Sequence, residues 1–302
     1  MSNENDLSYW REKIDQNDRE IVKLILDRAK FVHKIGEIKR DQVTPIFRPD
    51  REKQVYENVR KAAVDLYGNR PPMPLKLLEA IYREIISGSV AIEGGLGVAF
   101  LGPPGSFSHI ATRFRFGSAV RAFPVETISD VFDEVESGRE VSYGVVPVDN
   151  TTEGSVGATL EKFLISDLKI YAEQYVRINH NLLFHKEVPV ESIKKLYTIK
   201  IVREQCREWI SHHLKHVEIV DAPSTSAAAS MASQRKDGAA IASDLAAETY
   251  ALKFIARNIQ DHAANITRFI VLAKEQCLPT GDDKTSILFA FRDRPGALYE
   301  LL

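Results

Sequence analysis

Two cations in this sequence stand where cations are expensive. Positions 14, 18, 21, 25, 28, 32, 35 and 39 repeat with a 4-3-4-3 spacing and hold Ile14, Asp18, Ile21, Ile25, Arg28, Val32, Ile35 and Lys39. A second row holds Leu24, Phe31 and Ile38. At about 100° per residue these rows form one broad apolar sector of a helix. Arg28 and Lys39 differ by about 20° around that helix and lie about 16 Å apart along it. Cations on a buried seam are costly unless they meet anions. They either snorkel or pair with carboxylates of a neighbouring helix, or they line a dry cavity that clamps an anionic small molecule. Arg11 falls about 100° from Arg28 at the edge of the stripe. On a straight helix it cannot share a site with Arg28, but it can reach one on a neighbouring helix.

The second half of the chain offers different chemistry. Gly102-Pro103-Pro104-Gly105-Ser106-Phe107-Ser108, Asn150-Thr151-Thr152-Glu153-Gly154-Ser155 and Ser224-Thr225-Ser226 each follow an apolar run and read as strand-to-helix junctions. Free backbone N–H groups at a helix start favour an anion, and in α/β sheets such junctions gather at the carboxyl ends of the strands. Simple N-capping accounts for any one of them; three together point to a cleft for a polyanionic ligand. The first loop is neither GxGxxG nor GxxxxGK[ST]. A fourth element, Asn265-Ile266-Thr267-Arg268-Phe269, leads polar groups directly into an apolar strand. His212, His213 and His216 form an H-H-x-x-H cluster in which 212 and 216 can share a helix face, but no carboxylate or cysteine completes a metal set at a familiar spacing. The expectation there is a solvated face and no metal.

These residues need elements to hold them. A first helix over about 7–40, capped by Asn5 or Asp6 and closed before Pro45, would span about 50 Å at 1.5 Å per residue. That favours an intertwined helical dimer. A second helix follows Pro49, with Asp50, Arg51 and Glu52 in its first turn, and a third runs from Pro74 to about Ile92. Ser89 and Glu93 are spaced i,i+4 and share a face. After Glu93-Gly94-Gly95 the pattern changes. Strands are expected at Gly97–Leu101, Ser142–Val148, Ile170–Val176, Asn181–Phe184, Lys195–Ile199, Glu218–Val220 and Ala239–Ala242, with helices between them, which is an α/β pattern. The organisation expected is multi-domain: an all-α N-terminal domain, 1–93, then an α/β domain, 97–275, in one unit or two lobes.

Composition narrows the function classes. The 302 residues are 44% hydrophobic and 27% charged, with a net charge of −2. Nothing in that balance suggests a nucleic acid or an anionic membrane as partner. Two cysteines, Cys206 and Cys277, make no disulfide framework. The polar N-terminus is no signal peptide, and no apolar run is long enough to span a bilayer. A cytoplasmic protein is expected.

The run Arg11-Glu12-Lys13-Ile14, Arg28, Lys39, Asp50-Arg51-Glu52 and Ser89 with Glu93 resembles, in type and spacing, the all-helical chorismate mutase family across 1–93. LGPPGSFSH, VVPVDNTTEGSV, Gln205-Cys206, STSAAA and N-x-T-R-F resemble the prephenate dehydratases, in order, across 97–275. The closing stretch 283–302, which holds KTSILFAFRDRPGALYELL from Lys284 on, resembles the opening of an ACT regulatory domain whose remainder does not follow. The whole is similar to the bifunctional chorismate mutase–prephenate dehydratases of phenylalanine biosynthesis. The resemblance implies a homodimer through the N-terminal helices, two periplasmic-binding-protein-like lobes around a cleft, chorismate and prephenate as substrates, and no cofactor. With only the first strand and turn of an ACT domain present, weak or absent inhibition by phenylalanine is expected.

The resemblance also assigns roles. The mutase step is a pericyclic rearrangement helped by holding a compact conformer and stabilising charge on the ether oxygen. Arg28, and Arg11 of a partner chain, would pin the carboxylates; Lys39 would donate to the ether oxygen; Glu52 would accept from the ring hydroxyl; Ser89 and Arg51 would assist. Glu93 stands where many relatives hold Gln. A glutamate donates only when protonated, so a neutral Glu93, or mutase activity that falls as pH rises, is expected. In the dehydratase step Thr267 would help the ring hydroxyl depart. Arg268 would order the loop or a substrate carboxylate, and Ser106, Asn150, Gln205 and Thr225 would contact substrate. Relatives often show Ser-His-Pro-Gln where this chain has Thr198-Ile199-Lys200-Ile201; Thr198 keeps a hydroxyl. The rival class is a non-catalytic two-lobed anion sensor with a helical dimerisation module.

Overall fold

The computed structural model describes residues 6–42, 46–262, 264–281, 283–289 and 299. Three helices come first: α1 (Leu7–Gln42), α2 (Pro49–Tyr67) and α3 (Leu75–Glu93). Asp6 caps α1 by accepting from Ser8 N at 3.0 Å; Asn5 and the turn 43–45 lie outside the described residues. Over its 36 residues α1 spans about 54 Å. Its C-terminal half packs on α3, where Gly36 lets the helices approach: a Cβ there would lie 3.2 Å from the Glu93 Cα. Only Val32 and Gly36 of the described α1 residues are buried. Ile14, Ile21, Leu24 and Phe31 of the apolar sector are exposed in the single chain.

The rest is α/β. Its first part runs β1 (Gly97–Leu101), α4 (Phe107–Phe116), β2 (Arg121–Val125), α5 (Ile128–Ser137), β3 (Tyr143–Asn150), β4 (Gly154–Ser155), α6 (Gly157–Phe163) and β5 (Lys169–Arg177). The second part runs β6 (Asn181–Phe184), β7 (Lys195–Thr198), α7 (Lys200–Gln205), α8 (Arg207–His213), β8 (Glu218–Asp221), α9 (Thr225–Arg235), β9 (Ala239–Ala242), α10 (Asp244–Thr249) and β10 (Lys253–Ala256); β11 (Ile266–Ala273) then returns to the first sheet. The first sheet has the order β2-β1-β3-β11-β5, with β4 on β3; the second has the order β10-β6-β9-β7-β8. Each combines parallel with antiparallel neighbours. The chain crosses between the sheets twice, at 178–180 and 257–265. The crossings are tied by Ile178 N to Asn265 O at 2.9 Å and Ile259 N to His180 O at 2.8 Å.

Strand alternation decides which residues meet. Val98, Phe100, Val145, Phe269 and Val271 share one face of the first sheet, and Ala99, Val146, Ile270 and Leu272 the other. The first face does not close on helices of the α/β segment alone. Phe47 and Val90 of the helical segment are part of that core. The Phe47 ring packs against Phe116, Tyr143 and Tyr171, and its carbonyl accepts from Tyr171 Oη at 3.0 Å. Helices and sheet therefore share one apolar interior.

Several expectations change. The Asn150–Ser155 stretch is a hairpin between β3 and β4 rather than a strand-to-helix junction, because Asn150 folds the chain back on itself. The strands β2 and β10 carry too little apolar pattern to stand out. The helix carrying His212 ends at His213, so His212 and His216 share no helix; their ring nitrogens face the carbonyls of Glu208 and of Glu191 and Ile193. Residues 286–289 carry no strand, and 290–298 with 300–302 lie outside the described residues.

The seam between segments is tight at Gly117, which ends α4 with φ +76°; a Cβ there would lie 2.4 Å from Ser87 Cβ on α3. Gly117→Ala should combine backbone strain with overpacking, about 2 kcal/mol or more. Thermal denaturation should show its transition lowered by several degrees, and an unshifted transition would contradict this reading of the seam.

Candidate active sites

The helical segment encloses a cavity of about 380 Å³ lined by Arg28, Val32, Ile35, Lys39, Phe47, Arg48, Asp50, Arg51, Glu52, Ser89 and Glu93, among others. Arg28 and Lys39 do share it, as the helical stripe requires. Each charge has found a partner. Lys39 Nζ donates to Glu93 Oε2 at 2.7 Å and to Ile46 O at 2.9 Å. Arg28 donates to Ser89 Oγ, which itself donates to Ile85 O at 2.7 Å. Arg48 forks onto Asp50 through Nε and Nη2, at 3.2 and 2.6 Å, which holds Asp50 below the usual carboxylate range. Arg51 bonds Gln54. Glu52 accepts from Arg115 Nη1 at 2.5 Å, and Arg115 comes from α4, outside the helical segment. In this geometry Glu93 accepts from Lys39 in an ion pair rather than donating as expected, because the half-buried ammonium beside it draws in an anion. Arg11 lies exposed on the N-terminal part of α1, away from this cavity in its own chain.

The second cavity, about 320 Å³, lies between the two sheets. The first sheet's unit contributes Ser106, Asn150, Glu153 and Thr267; the second unit contributes Gln205, Ser224 and Thr225; the crossings contribute His180 and Asn265. Ser106 caps α4, accepting from His109 N at 3.3 Å, and Ser224 caps α9, accepting from Ala227 N at 3.0 Å. Asn150 is the organising group. Its Oδ1 accepts from the N–H of Thr152 and Glu153 at 2.8 and 2.9 Å, which fixes the amide orientation. Its Nδ2 then donates to Asn265 Oδ1 at 2.8 Å and to Thr267 Oγ1 at 2.7 Å. The Thr267 oxygen is an acceptor there, so its own O–H is left to donate, with no acceptor among the described residues.

His180 is a residue that sequence reasoning passed over. Gln205 Nε2 donates to Glu153 Oε1 at 3.1 Å, leaving Gln205 Oε1 to face His180 Nε2 at 2.8 Å. The His180 proton therefore belongs on Nε2, and Nδ1 is buried with no partner among the described residues. A lone His in Ile-Asn-His-Asn carries no local signal; only its place on a crossing segment brings it to the cleft. Cys206, beside Gln205, turns into the core, where burial pushes its thiol up to about 12.

Two expected contacts are not made. Thr198 is fully buried at the end of β7 and does not line the cavity; its neighbour Ile199 does. Arg268 follows Thr267 on β11, so it points to the opposite face. There it pairs with Glu173 Oε1 at 2.6 Å, away from the cleft.

A charge-lined cavity among helices and a polar cleft between two sheets define a protein with two small-molecule sites. The family profile for chorismate mutase type II matches residues 10–94, and that for prephenate dehydratase matches 98–277. A bifunctional chorismate mutase/prephenate dehydratase of Aquifex aeolicus (strain VF5) is 43% identical over 297 residues, 98% of this chain and 81% of the relative. One of Stutzerimonas stutzeri is 38% identical over 307 residues, 100% and 82% of the two. The solved structure of prephenate dehydratase from Arthrobacter aurescens in complex with L-Phe is similar with a TM-score of 0.60 at 30% identity, covering 68% of this chain and 70% of that one. This chain belongs to the bifunctional chorismate mutase/prephenate dehydratase family.

Burial holds His180 below its ordinary value, and burial with nearby Arg113 does the same for His109, whose Nδ1 accepts from Gly105 N at 3.1 Å. In the unfolded chain both take protons near pH 6.5. The unfolded state then binds more protons than the folded one, so stability is complete above that pH and is lost as pH falls toward the depressed folded values. The thermal transition should drop by several degrees between pH 7.5 and 5.5, and less in a His109→Gln, His180→Gln double variant. Equal drops in both proteins would disprove the assignment.

Proposed function

We propose that the helical cavity rearranges chorismate to prephenate and that the cleft between the sheets dehydrates and decarboxylates prephenate to phenylpyruvate. One observation carries this reading: in each cavity the donor the chemistry requires is tethered yet keeps a proton to give. An ammonium has three protons. Lys39 spends two, on Glu93 and on Ile46 O, and the third has no partner among the described residues. That proton stabilises the negative charge developing on the ether oxygen, without reorganisation. Arg28 takes a substrate carboxylate through its planar fork, with Ser89 steadying the guanidinium and Arg51 adding positive field. Glu52 accepts from the ring hydroxyl. Glu93 acts through Lys39, holding it in place.

In the cleft the Thr267 hydroxyl, polarised by the Asn150 amide, donates to the departing ring hydroxyl. Threonine is a weak acid, so this is a hydrogen bond that strengthens as charge develops, with aromatisation as the driving force. Capped helix starts at Ser106 and at Ser224-Thr225 present backbone N–H groups to the substrate carboxylates. Gln205, held between Glu153 and His180, supplies a fixed polar wall. Arg268 serves the strand through Glu173.

The same reading makes 1–93 a mutase domain, 97–275 a dehydratase domain with two lobes of the periplasmic-binding-protein kind, and 283–302 the opening of an ACT domain. The exposed apolar sector of α1 supports an intertwined homodimer in which Arg11 enters the partner's cavity, since such a face left in water forfeits its burial energy. Among the described residues no helix is long and apolar enough to cross a membrane, which is compatible with the cytoplasm. The rival anion sensor is not favoured, because the relatives are enzymes over the full length of the chain.

Incubation with chorismate alone, with no cofactor added, tests the assignment. Wild type should release phenylpyruvate. Arg28→Ala should leave chorismate almost untouched, a loss of about 10²-fold or more, yet still process supplied prephenate. Thr267→Val should consume chorismate and accumulate prephenate, its dehydratase rate down by about 10²–10³. Binding of both compounds without turnover in wild type would return the sensor.

A further inference from the structure

Among the described residues, each charged side chain lining the mutase cavity but one finds its side-chain partner within the helical segment. Lys39 has Glu93, Arg48 has Asp50, Arg51 has Gln54 and Arg28 has Ser89. Glu52 is the exception: among the described residues its partner is Arg115, in the last turn of α4 in the dehydratase segment. Both side chains are withdrawn from solvent, at 15% and 8% exposure. The Arg115 guanidinium also lies over the Phe47 ring, 4.9 Å from its centroid, and Phe47 lines the same cavity. A helix C-terminus is a favourable place for a cation, so this arginine is held by three things at once: the helix end, the ring and the carboxylate.

The bond uses Glu52 Oε2 and leaves Oε1 with no protein partner among the described residues. A carboxylate accepts through either oxygen, so one can be anchored while the other receives a substrate hydroxyl. Removing the anchor leaves a buried anion among Arg28, Lys39 and Arg51. It would swing toward one of them, and those are the cations the substrate needs.

We propose that Arg115 is a positioning residue of the mutase site: it fixes the Glu52 carboxylate to receive the ring hydroxyl of chorismate, so the dehydratase segment completes the mutase site. This rests on the reading of Glu52 as that acceptor. An interaction made equally in ground and transition states acts on KM more than on kcat. The positioning residue must therefore show the same split as the residue it positions, whereas a general loosening of the fold would lower the active fraction, and so kcat, at constant KM.

The test is steady-state mutase kinetics on the full chain for Glu52→Gln, Arg115→Gln, Arg115→Lys and the Glu52→Gln, Arg115→Gln double variant. Turnover of supplied prephenate serves as a check of folding. Glu52→Gln and Arg115→Gln should each raise the KM for chorismate about tenfold or more with a smaller change in kcat. Arg115→Lys should recover most of the loss. The double variant should be no worse than the poorer single one within about twofold, the non-additivity of two groups acting as one. Multiplied losses in the double variant, a fall in kcat at unchanged KM, or normal kinetics in Arg115→Gln beside an impaired Glu52→Gln would overturn the Arg115 assignment while leaving Glu52 in its role. Normal kinetics in Glu52→Gln would remove both. Should Arg115→Gln not fold, Arg115→Met, which keeps apolar packing over Phe47 and removes the charge, decides: a raised KM with kcat kept supports the proposal, and an unchanged KM overturns it.

Discussion

A charge taken out of water must meet its opposite or a set of hydrogen bonds, and this requirement organises the helical segment of the molecule. The cavity between α1, α2 and α3 is kept open where the half-buried Arg28, Lys39 and Arg48 cannot pack as apolar side chains do. Each is turned toward an acceptor, and the space left between the acceptors is what a small dianion can fill. The ion pair of Lys39 with Glu93 is the plainest case of such compensation. The same bond that makes burial of the ammonium tolerable also aims it and leaves one proton uncommitted.

The requirement reaches beyond the helices. Glu52 is compensated by Arg115, and the ring of Phe47 sits between the Arg115 guanidinium and the aromatic interior of the first sheet. Helix α4 starts at Ser106 in the cleft and ends beside the helical cavity, a distance of about 15 Å for ten residues. Its first turn presents N–H groups to one site and its last turn a cation to the other, which is the direction the helix dipole favours at both ends. The two sites are thus walls of one packed body rather than two beads on a string.

Much of this was legible in the order of residues. The 4-3-4-3 stripe placed Arg28 and Lys39 in one cavity, and the i,i+4 spacing put Ser89 and Glu93 on one face, since helical geometry is local and repeats. Asn181–Phe184 and Ala239–Ala242 are bounded as their apolar runs imply. Alternation was the rule that should have warned about Arg268: one residue after Thr267 in a strand, it had to face the other way. Thr198 was misplaced for a like reason, because a hydroxyl at the end of a buried strand tells nothing of which side it faces. The strands β2 and β10 escaped notice because edge strands need little apolar pattern, being buried on few sides.

The features readable from near neighbours are therefore local ones: the helical stripe and its two cations, the change to an α/β pattern after Gly94-Gly95, the caps at Ser106 and Ser224, and the residue types of both cavities. Every partnership across long separations depends instead on how the chain closes in three dimensions. Asn150 meets Thr267 because β3 and β11 are antiparallel neighbours. His180 reaches the cleft because the chain crosses there between sheets. Arg115 finds Glu52, and Glu93 becomes an acceptor rather than a donor, because a buried charge takes the counter-charge that packing brings to it. No local rule states which one that will be: the choice is a property of the whole interior, set by which apolar faces close on one another and which charges that closing leaves without water.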